Sequence, residues 1–178
     1  MKKIIYIIIC MSFLLILPAC RGDVKPDIAA LGEKMGRINP DYSFGYFNTF
    51  VFEDTARVFF SLEGEDNALL SLSTDNSGAI TCINITAGSS TITTDAQKLQ
   101  LASLFAAAAE AYTLMTEKEK TDCLEKLSFD NPQAYFTDLF EQFRAQRYIF
   151  TFSSNSECIS LDIAYSDIIQ AEKNPTDS

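Results

Sequence analysis

The chain has 178 residues, of which 24 are acidic and 14 basic, giving a formal net charge of −10. This length suits a single folded domain, and so acidic a domain repels phosphate backbones, which argues against nucleic acid as a partner. Histidine is absent from the sequence, which removes the Ser-His and Cys-His catalytic pairs and the commonest zinc ligand.

The first segment of the chain has the pattern of an export signal. Lys2 and Lys3 precede an uncharged, largely apolar run over residues 4–17, which matches the charged and hydrophobic regions of a signal peptide. The run has about fourteen residues, fewer than the roughly 20 that a helix needs to cross the hydrocarbon core. We therefore expect residues 1–19 to be a cleaved signal rather than a permanent transmembrane anchor.

The end of the apolar run carries a second pattern. Leu17, Pro18, Ala19 and Cys20 follow one another, and this tetrapeptide resembles the lipobox of bacterial lipoproteins, with Leu first and a small residue directly before an obligatory Cys. The resemblance implies cleavage before Cys20 and a diacylglyceryl group on its thiol, and two acyl chains anchor a protein stably in a membrane. It also implies the extracytoplasmic side of the cell envelope, at the outer membrane in a Gram-negative host because Arg21 follows the cysteine.

The remaining chain divides into three parts. Residues 20–26 predict a short lipidated tether, residues 27–168 a single domain, and residues 169–178 a polar, disordered tail. Loss of the two signal lysines leaves 12 basic against 24 acidic side chains, a net charge of −12 for the mature chain.

The first half of the domain predicts one helix and a four-strand meander. Asp27 is suited to cap a helix that ends before Pro40, with Ile28, Leu31, Met35 and Ile38 at helical spacing on its apolar side. Four strand-like runs follow, separated by the turn-forming segments EDT, EGEDN and TDNSG, and such short connections indicate antiparallel hairpins. Their expected core-facing residues are Phe44, Tyr46, Phe50, Phe52, Val58, Phe60, Leu62, Leu70, Leu72, Ile83 and Ile85.

The middle of the chain predicts three more helices. Thr94 with Gln97, and Thr116 with Glu119, have the spacing of capping boxes, and Pro132 suits the first position of a third helix. The residues expected to face inward from these helices are Leu101, Leu104, Phe105, Ala108, Tyr112, Cys123, Leu124, Leu127, Tyr135, Phe136, Leu139, Phe140 and Phe143.

The last part of the domain predicts a hairpin. The runs RYIFTF and ECISLDIAY flank the turn SSNS, and Ile159, Leu161, Ile163 and Tyr165 alternate onto one face. The expected fold class is α+β: an antiparallel sheet of about six strands, made of the meander and this hairpin, with helices packed on one face.

Two sets of residues are candidates for a site. Glu63, Glu65, Asp66 and Asn67 cluster oxygen ligands on one turn, but without the spacing of a calcium loop, so a solvated hairpin tip is the preferred interpretation. The aromatic residues Phe47 and Phe59 have the parity opposite to the core, which leaves either ordinary packing or an apolar patch for a partner. We predict no metal, no cofactor and no catalytic residue.

Three cysteines follow Cys20. Cys82 and Cys158 have the parity opposite to their core-facing neighbours, so they should share the outer face of the sheet. Two alternatives remain open: a disulfide if their strands are neighbours in register, or two unbridged thiols. Cys123 should be buried and inert.

The functional hypothesis follows from the lipobox and the lack of catalytic motifs. We expect a membrane-anchored envelope lipoprotein, held by lipid at Cys20, that binds a protein or small-molecule partner without catalysis. The alternatives are a structural or assembly factor of the envelope and a hydrolase that uses two carboxylates.

Overall fold

The computed structural model describes residues 26–42, 44, 49–52, 55–131, 133 and 137–166, with only the backbone of residues 49–52. The signal, Cys20, Phe47, Tyr135, Phe136 and the C-terminal tail lie outside the described residues. The elements in chain order are α1 (Ile28–Ile38), a 3₁₀ turn (Pro40–Tyr42), β1 (Thr49–Phe52), β2 (Thr55–Leu62), β3 (Glu65–Thr74), β4 (Ile80–Gly88), a 3₁₀ turn (Ser89–Thr91), α2 (Asp95–Tyr112), α3 (Glu117–Lys126), β5 (Leu139–Ala145), β6 (Tyr148–Ser154) and β7 (Cys158–Tyr165).

One antiparallel sheet organises these elements, and the predicted α+β class is confirmed. Its strand order is β1-β2-β3-β4-β7-β6-β5, seven strands in all. The meander β1–β4 and the meander β5–β7 meet where β4 pairs with β7. The sheet thus joins the two halves of the chain at its centre.

The seventh strand corrects the prediction of a third helix after Pro132. β5 pairs with β6 along its whole length, through a tight turn at Gln146, which takes a positive φ of 51°. The apolar residues at positions 139 and 143 fit a helical period and a strand period equally well, and pairing with β6 decides between them. The strand alternates between half-buried and exposed side chains: Leu139, Glu141 and Phe143 against Phe140, Gln142 and Arg144.

The start of the first meander also differs from the prediction. Tyr42 lies in a 3₁₀ turn, and β1 begins only at Thr49. The rings of Tyr42 and Phe44 pack edge-on against Phe60, with centroids 5.9 and 6.4 Å away. A Cβ on Gly32 would lie 2.8 Å from the ring of Phe44, so α1 comes this close because the residue is glycine. This segment therefore packs as an aromatic cap on the core.

The core lies between the sheet and its helices. Asp27 caps α1 through its side chain, and both predicted capping boxes are formed at the starts of α2 and α3. The fully buried residues from the sheet include Val58, Phe60, Leu70, Leu72, Ile83, Ile85, Phe150, Phe152, Leu161 and Ile163, and those from α2 include Leu101, Leu104, Phe105 and Ala108.

Helix α2 fixes its position on the sheet by a buried hydrogen bond. The hydroxyl of Tyr112 donates to the carbonyl of Ile80 at 2.8 Å. In α3, Cys123 and Leu127 are buried, but Leu124 is 38% exposed, so the inward position predicted for Leu124 is wrong. A helix as short as α3 buries only a narrow apolar stripe of its surface, and Leu124 lies at the edge of that stripe. Within the described ranges, no helix is both long and apolar enough to cross a membrane.

Candidate functional site

The face of the sheet opposite the helices is the candidate site, and we call it the open face. Strand alternation sends to it every second residue of each strand, because the others enter the core. The described side chains on the open face include Arg57, Phe59, Leu69, Ser71, Ser73, Cys82, Asn84, Thr86, Phe140, Gln142, Arg144, Ile149, Thr151, Ser153, Cys158, Ser160, Asp162 and Ala164. Most of these side chains are polar.

A row of polar residues crosses the open face from strand to strand. Asn84 on β4 lies directly opposite Asp162 on β7, at the centre of the sheet. Because adjacent strands lie about 4.8 Å apart, a row over six strands spans roughly 24 Å. In order across the sheet the row contains Arg57, Ser71, Asn84, Asp162, Thr151 and Gln142.

Hydrogen bonds hold the centre of this row in one orientation. The side-chain amide of Asn84 donates from Nδ2 to Oδ1 of Asp162 at 2.8 Å. The Oδ1 of Asn84 accepts from the hydroxyl of Thr86 at 2.9 Å. Ser153 and Ser160 form a second hydrogen bond, with hydroxyl oxygens 2.8 Å apart. In the described part of the chain, no side-chain donor bonds the second carboxylate oxygen of Asp162. This oxygen can therefore accept a hydrogen bond from a ligand.

Apolar side chains lie toward the two ends of the open face. Phe59 is half-buried and lies opposite Leu69 on β3, which confirms the parity predicted for Phe59. Phe140 is 68% exposed on the edge strand β5, so the inward position predicted for Phe140 is wrong. The apolar area is therefore divided between two places, with the polar row between them.

Both predicted outer-face cysteines lie on the open face, but they cannot form a disulfide. β4 and β7 are neighbours, yet the register pairs Cys82 with Ala164 and Cys158 with Gly88. The two cysteines are thus six positions apart along the strands, about 20 Å at the rise of a β-strand. A disulfide requires α-carbons within roughly 4.4 to 6.8 Å, so the alternative of two unbridged thiols holds.

The third cysteine belongs to the core, as predicted. Cys123 is 2% exposed, and this burial raises the pKa of its thiol to about 12. The thiolate is the reactive form of cysteine, so Cys123 is inert at neutral pH.

The acidic turn between β2 and β3 holds the hairpin against α2. Glu63 and Gly64 both take positive φ angles, 55° and 88°. The carboxylate of Glu63 accepts from the hydroxyl of Thr94 at 3.0 Å, and its backbone N–H donates to Oε1 of Gln100 at 2.9 Å. Among the residues that the structure describes, no three His, Cys, Asp or Glu side chains gather as metal ligands would.

Beside this turn lies an open groove of about 390 Å³. Its wall combines the exposed side chain of Leu99 with the carboxylates of Asp41 and Glu63. The volume is within the usual range for small-ligand sites. A second cavity, between α2 and α3 beside Cys123, holds only about 100 Å³.

Burial and hydrogen bonding shift the pKa values of three further groups. Burial raises the pKa of Tyr112 above its ordinary value and, less strongly, that of Tyr42. Hydrogen bonds from Gln133 and Lys98 lower the pKa of Asp95 at the start of α2. These groups lie in the core or at the start of a helix. Their pKa shifts therefore result from folding and do not mark a functional site.

Comparison with known proteins adds no relative to this picture: no family model matches the chain, and neither a curated protein nor a solved structure matches it. The candidate site therefore stands on its own geometry. What it offers chemically is a broad, flat array of hydrogen-bond donors and acceptors, oriented before any ligand arrives.

Proposed function

We propose that the chain is an exported bacterial lipoprotein, anchored through lipid at Cys20, whose domain binds a partner protein at the open face without catalysis. The observation that carries this proposal is the oriented Asn84–Asp162 pair on a sheet face that the described helices leave uncovered. The domain would work in the cell envelope, on the extracytoplasmic side of the membrane.

The length of the tether supports a partner near the membrane. Pro26 is buried, and its carbonyl accepts the backbone N–H of Ile80 at 3.0 Å, so the chain is held to the sheet at this residue. The residues between Cys20 and Pro26 reach at most about 20 Å when fully extended. A lipid on Cys20 would hold the domain within this distance of the bilayer, while its negative charge opposes contact with anionic headgroups.

The shape of the open face supports a protein as the partner. Protein interfaces are flat, carry hydrogen bonds in number, and contain a few aromatic residues and arginines. The open face combines the Asn84–Asp162 pair with Arg57 and with the exposed ring of Phe140. A small molecule would find its contacts in a concave site instead.

A second candidate function is binding of a small ligand in the groove beside Glu63. The groove has the volume for it, and its carboxylates favour a cationic ligand. This function uses Leu99 and Asp41 and leaves the open face without a role, so one experiment separates the two.

Affinity capture from detergent-solubilised membranes tests the proposal, with the lipidated chain as bait. We expect Asp162→Ala to reduce capture of the partner at least about tenfold, because it removes both the free acceptor and the anchor of Asn84. Leu99→Ala is the matched control and should leave capture unchanged. Loss of capture with Leu99→Ala but not with Asp162→Ala would contradict binding at the open face and would place the protein contact at the groove beside Glu63.

Membrane attachment is tested separately. Mass spectrometry of the mature N-terminus should find an acylated Cys20, and Cys20→Ala should move the protein out of the membrane fraction. An unmodified N-terminus at another residue would contradict the lipoprotein assignment without bearing on the open face.

A further inference from the structure

The edge strand β5 presents a row of unpaired backbone groups. In an antiparallel hairpin with a two-residue turn, the residues flanking the turn, here Ala145 and Tyr148, exchange hydrogen bonds, and every second residue repeats this arrangement. The backbone groups of Phe140, Gln142 and Arg144 therefore point away from β6. For these three residues, the described chain supplies no partner on the outer side.

In the described part of the chain, β5 has neither a proline nor a β-bulge, although Glu141 places one charge on its core-facing side. β2 pairs with β3, and β3 with β4, through registers interrupted by irregularities, whereas β5 keeps an unbroken register with β6 over its full length. Proline or a β-bulge normally blocks such an edge. Instead β5 carries the most exposed large apolar side chain on the described surface, that of Phe140 at 68%.

We propose that β5 pairs with β5 of a second copy of the chain, antiparallel and about a two-fold axis at Gln142, so that the two sheets become one. This register pairs Gln142 with its own counterpart and Phe140 with Arg144 of the second copy. It uses all three outward-facing residues of each strand. Any other symmetric register within β5 leaves at least one of them without a partner.

The side chains of β5 are self-complementary in this register. Phe140 and Arg144 lie on the same face of the sheet, so each phenyl ring faces the guanidinium of the other copy, a cation–π pair that occurs twice. A register centred on Arg144 would instead oppose two guanidinium groups, which is unfavourable. The negative charge of Glu141 and the positive charge of Arg144 leave β5 with no net charge. Two copies of this acidic chain therefore meet at a locally neutral segment.

Sedimentation velocity of the mature chain, residues 20–178 with Cys20→Ser to prevent lipidation, measures the pairing directly. We expect a dimer that dissociates on dilution. Gln142→Pro removes the outward N–H together with the side-chain amide that donates to Thr151, and it leaves the backbone pairing with β6 intact, so it should weaken dimerisation at least about tenfold. Gln142→Thr keeps this N–H and should leave the dimer in place, and circular dichroism verifies the fold of each variant.

Two substitutions at Phe140 test the register. Phe140→Glu places a carboxylate opposite Arg144 of the second copy and should keep the dimer, whereas Phe140→Lys opposes two cations and should abolish it. Equal effects of these two variants would overturn the register and, with it, the proposal.

A wild-type chain that stays monomeric up to about millimolar concentration would overturn the proposal as well. In that case, protection of the β5 amides from hydrogen exchange only in the presence of an envelope extract would assign the edge to a strand of another protein. The open-face variant Asp162→Ala should leave dimerisation unchanged, so failure of self-pairing and failure of open-face binding are distinguishable.

Discussion

The two faces of the sheet are built from the same strands but meet different physical demands. On β7, Ile159, Leu161 and Ile163 are fully buried under the helices, while Ser160 and Asp162 between them face the other way. Burial of apolar area stabilises the fold in proportion to that area, so the core face is restricted to residues that pack. The open face carries no such demand, which leaves its partly exposed residues, Asp162 among them, available for recognition.

The largest expected difference between the faces is in stability. Phe150 and Thr151 are neighbours on β6, and Phe150 is fully buried against Phe143. Phe150→Ala should lower the free energy of unfolding by about 3 to 5 kcal/mol, because it removes apolar contacts and leaves a cavity. Thr151→Ala, on the open face, should change it by less than about 0.5 kcal/mol.

Urea denaturation of both variants measures these values. A cost above about 2 kcal/mol for Thr151→Ala would mean that the open face is packed like a core, and the contrast between the faces would fail.

Thiol reactivity gives the next largest contrast. Cys82 and Cys158 are half-buried on the open face, whereas Cys123 is buried and its pKa is raised to about 12. At pH 7.5 a thiol reagent should modify the first two at least about 100-fold faster than Cys123. Total thiol counting on the unfolded, unreduced mature chain should find all three besides Cys20, and a single thiol would contradict the register of β4 and β7.

A smaller effect on stability is expected at the start of α2, which packs on the core face of the sheet. Thr94 accepts the backbone N–H of Gln97 and caps the helix. Thr94→Ala should reduce the free energy of unfolding by about 1 kcal/mol, since one helix donor loses its partner. Thr121→Ala, at an exposed position within α3, is the control, and an equal loss there would show that the capping box does not stabilise the domain.

The smallest effect concerns pH. Hydrogen bonds from the backbone N–H and the hydroxyl of Thr116 lower the pKa of Glu119. Its ionised form thus stabilises α3 at neutral pH, and this contribution is lost as the pH falls through the lowered pKa. In Glu119→Gln the melting temperature should vary less than in the wild type between about pH 6 and pH 3. Parallel melting curves would contradict the role of the carboxylate.

Several features of the fold follow from patterns within a single helix or strand. The caps of the three helices, the parity of Phe59, and the outward direction of Cys82 and Cys158 all follow from spacings within one element. The open face as a surface also follows, because alternation on each strand separates small polar residues from large apolar ones.

Strand order and register required the structure. Asn84 and Asp162 are far apart in the chain, and only the register of β4 against β7 brings their side chains together. The same register separates Cys82 from Cys158. Leu139, Phe140 and Phe143 were predicted to lie in a helix because Leu139 and Phe143 satisfy two periods at once, and the long-range pairing with β6 determined the outcome.

The central claim, that a partner covers the open face in the envelope, is tested by labelling Cys82 and Cys158 with a maleimide in isolated, reduced envelopes and in the purified protein. Covered thiols should react at least about tenfold more slowly in the envelopes, and Asp162→Ala should restore the faster rate. Equal rates of labelling in the envelopes and in the purified protein would contradict a binding role for the open face.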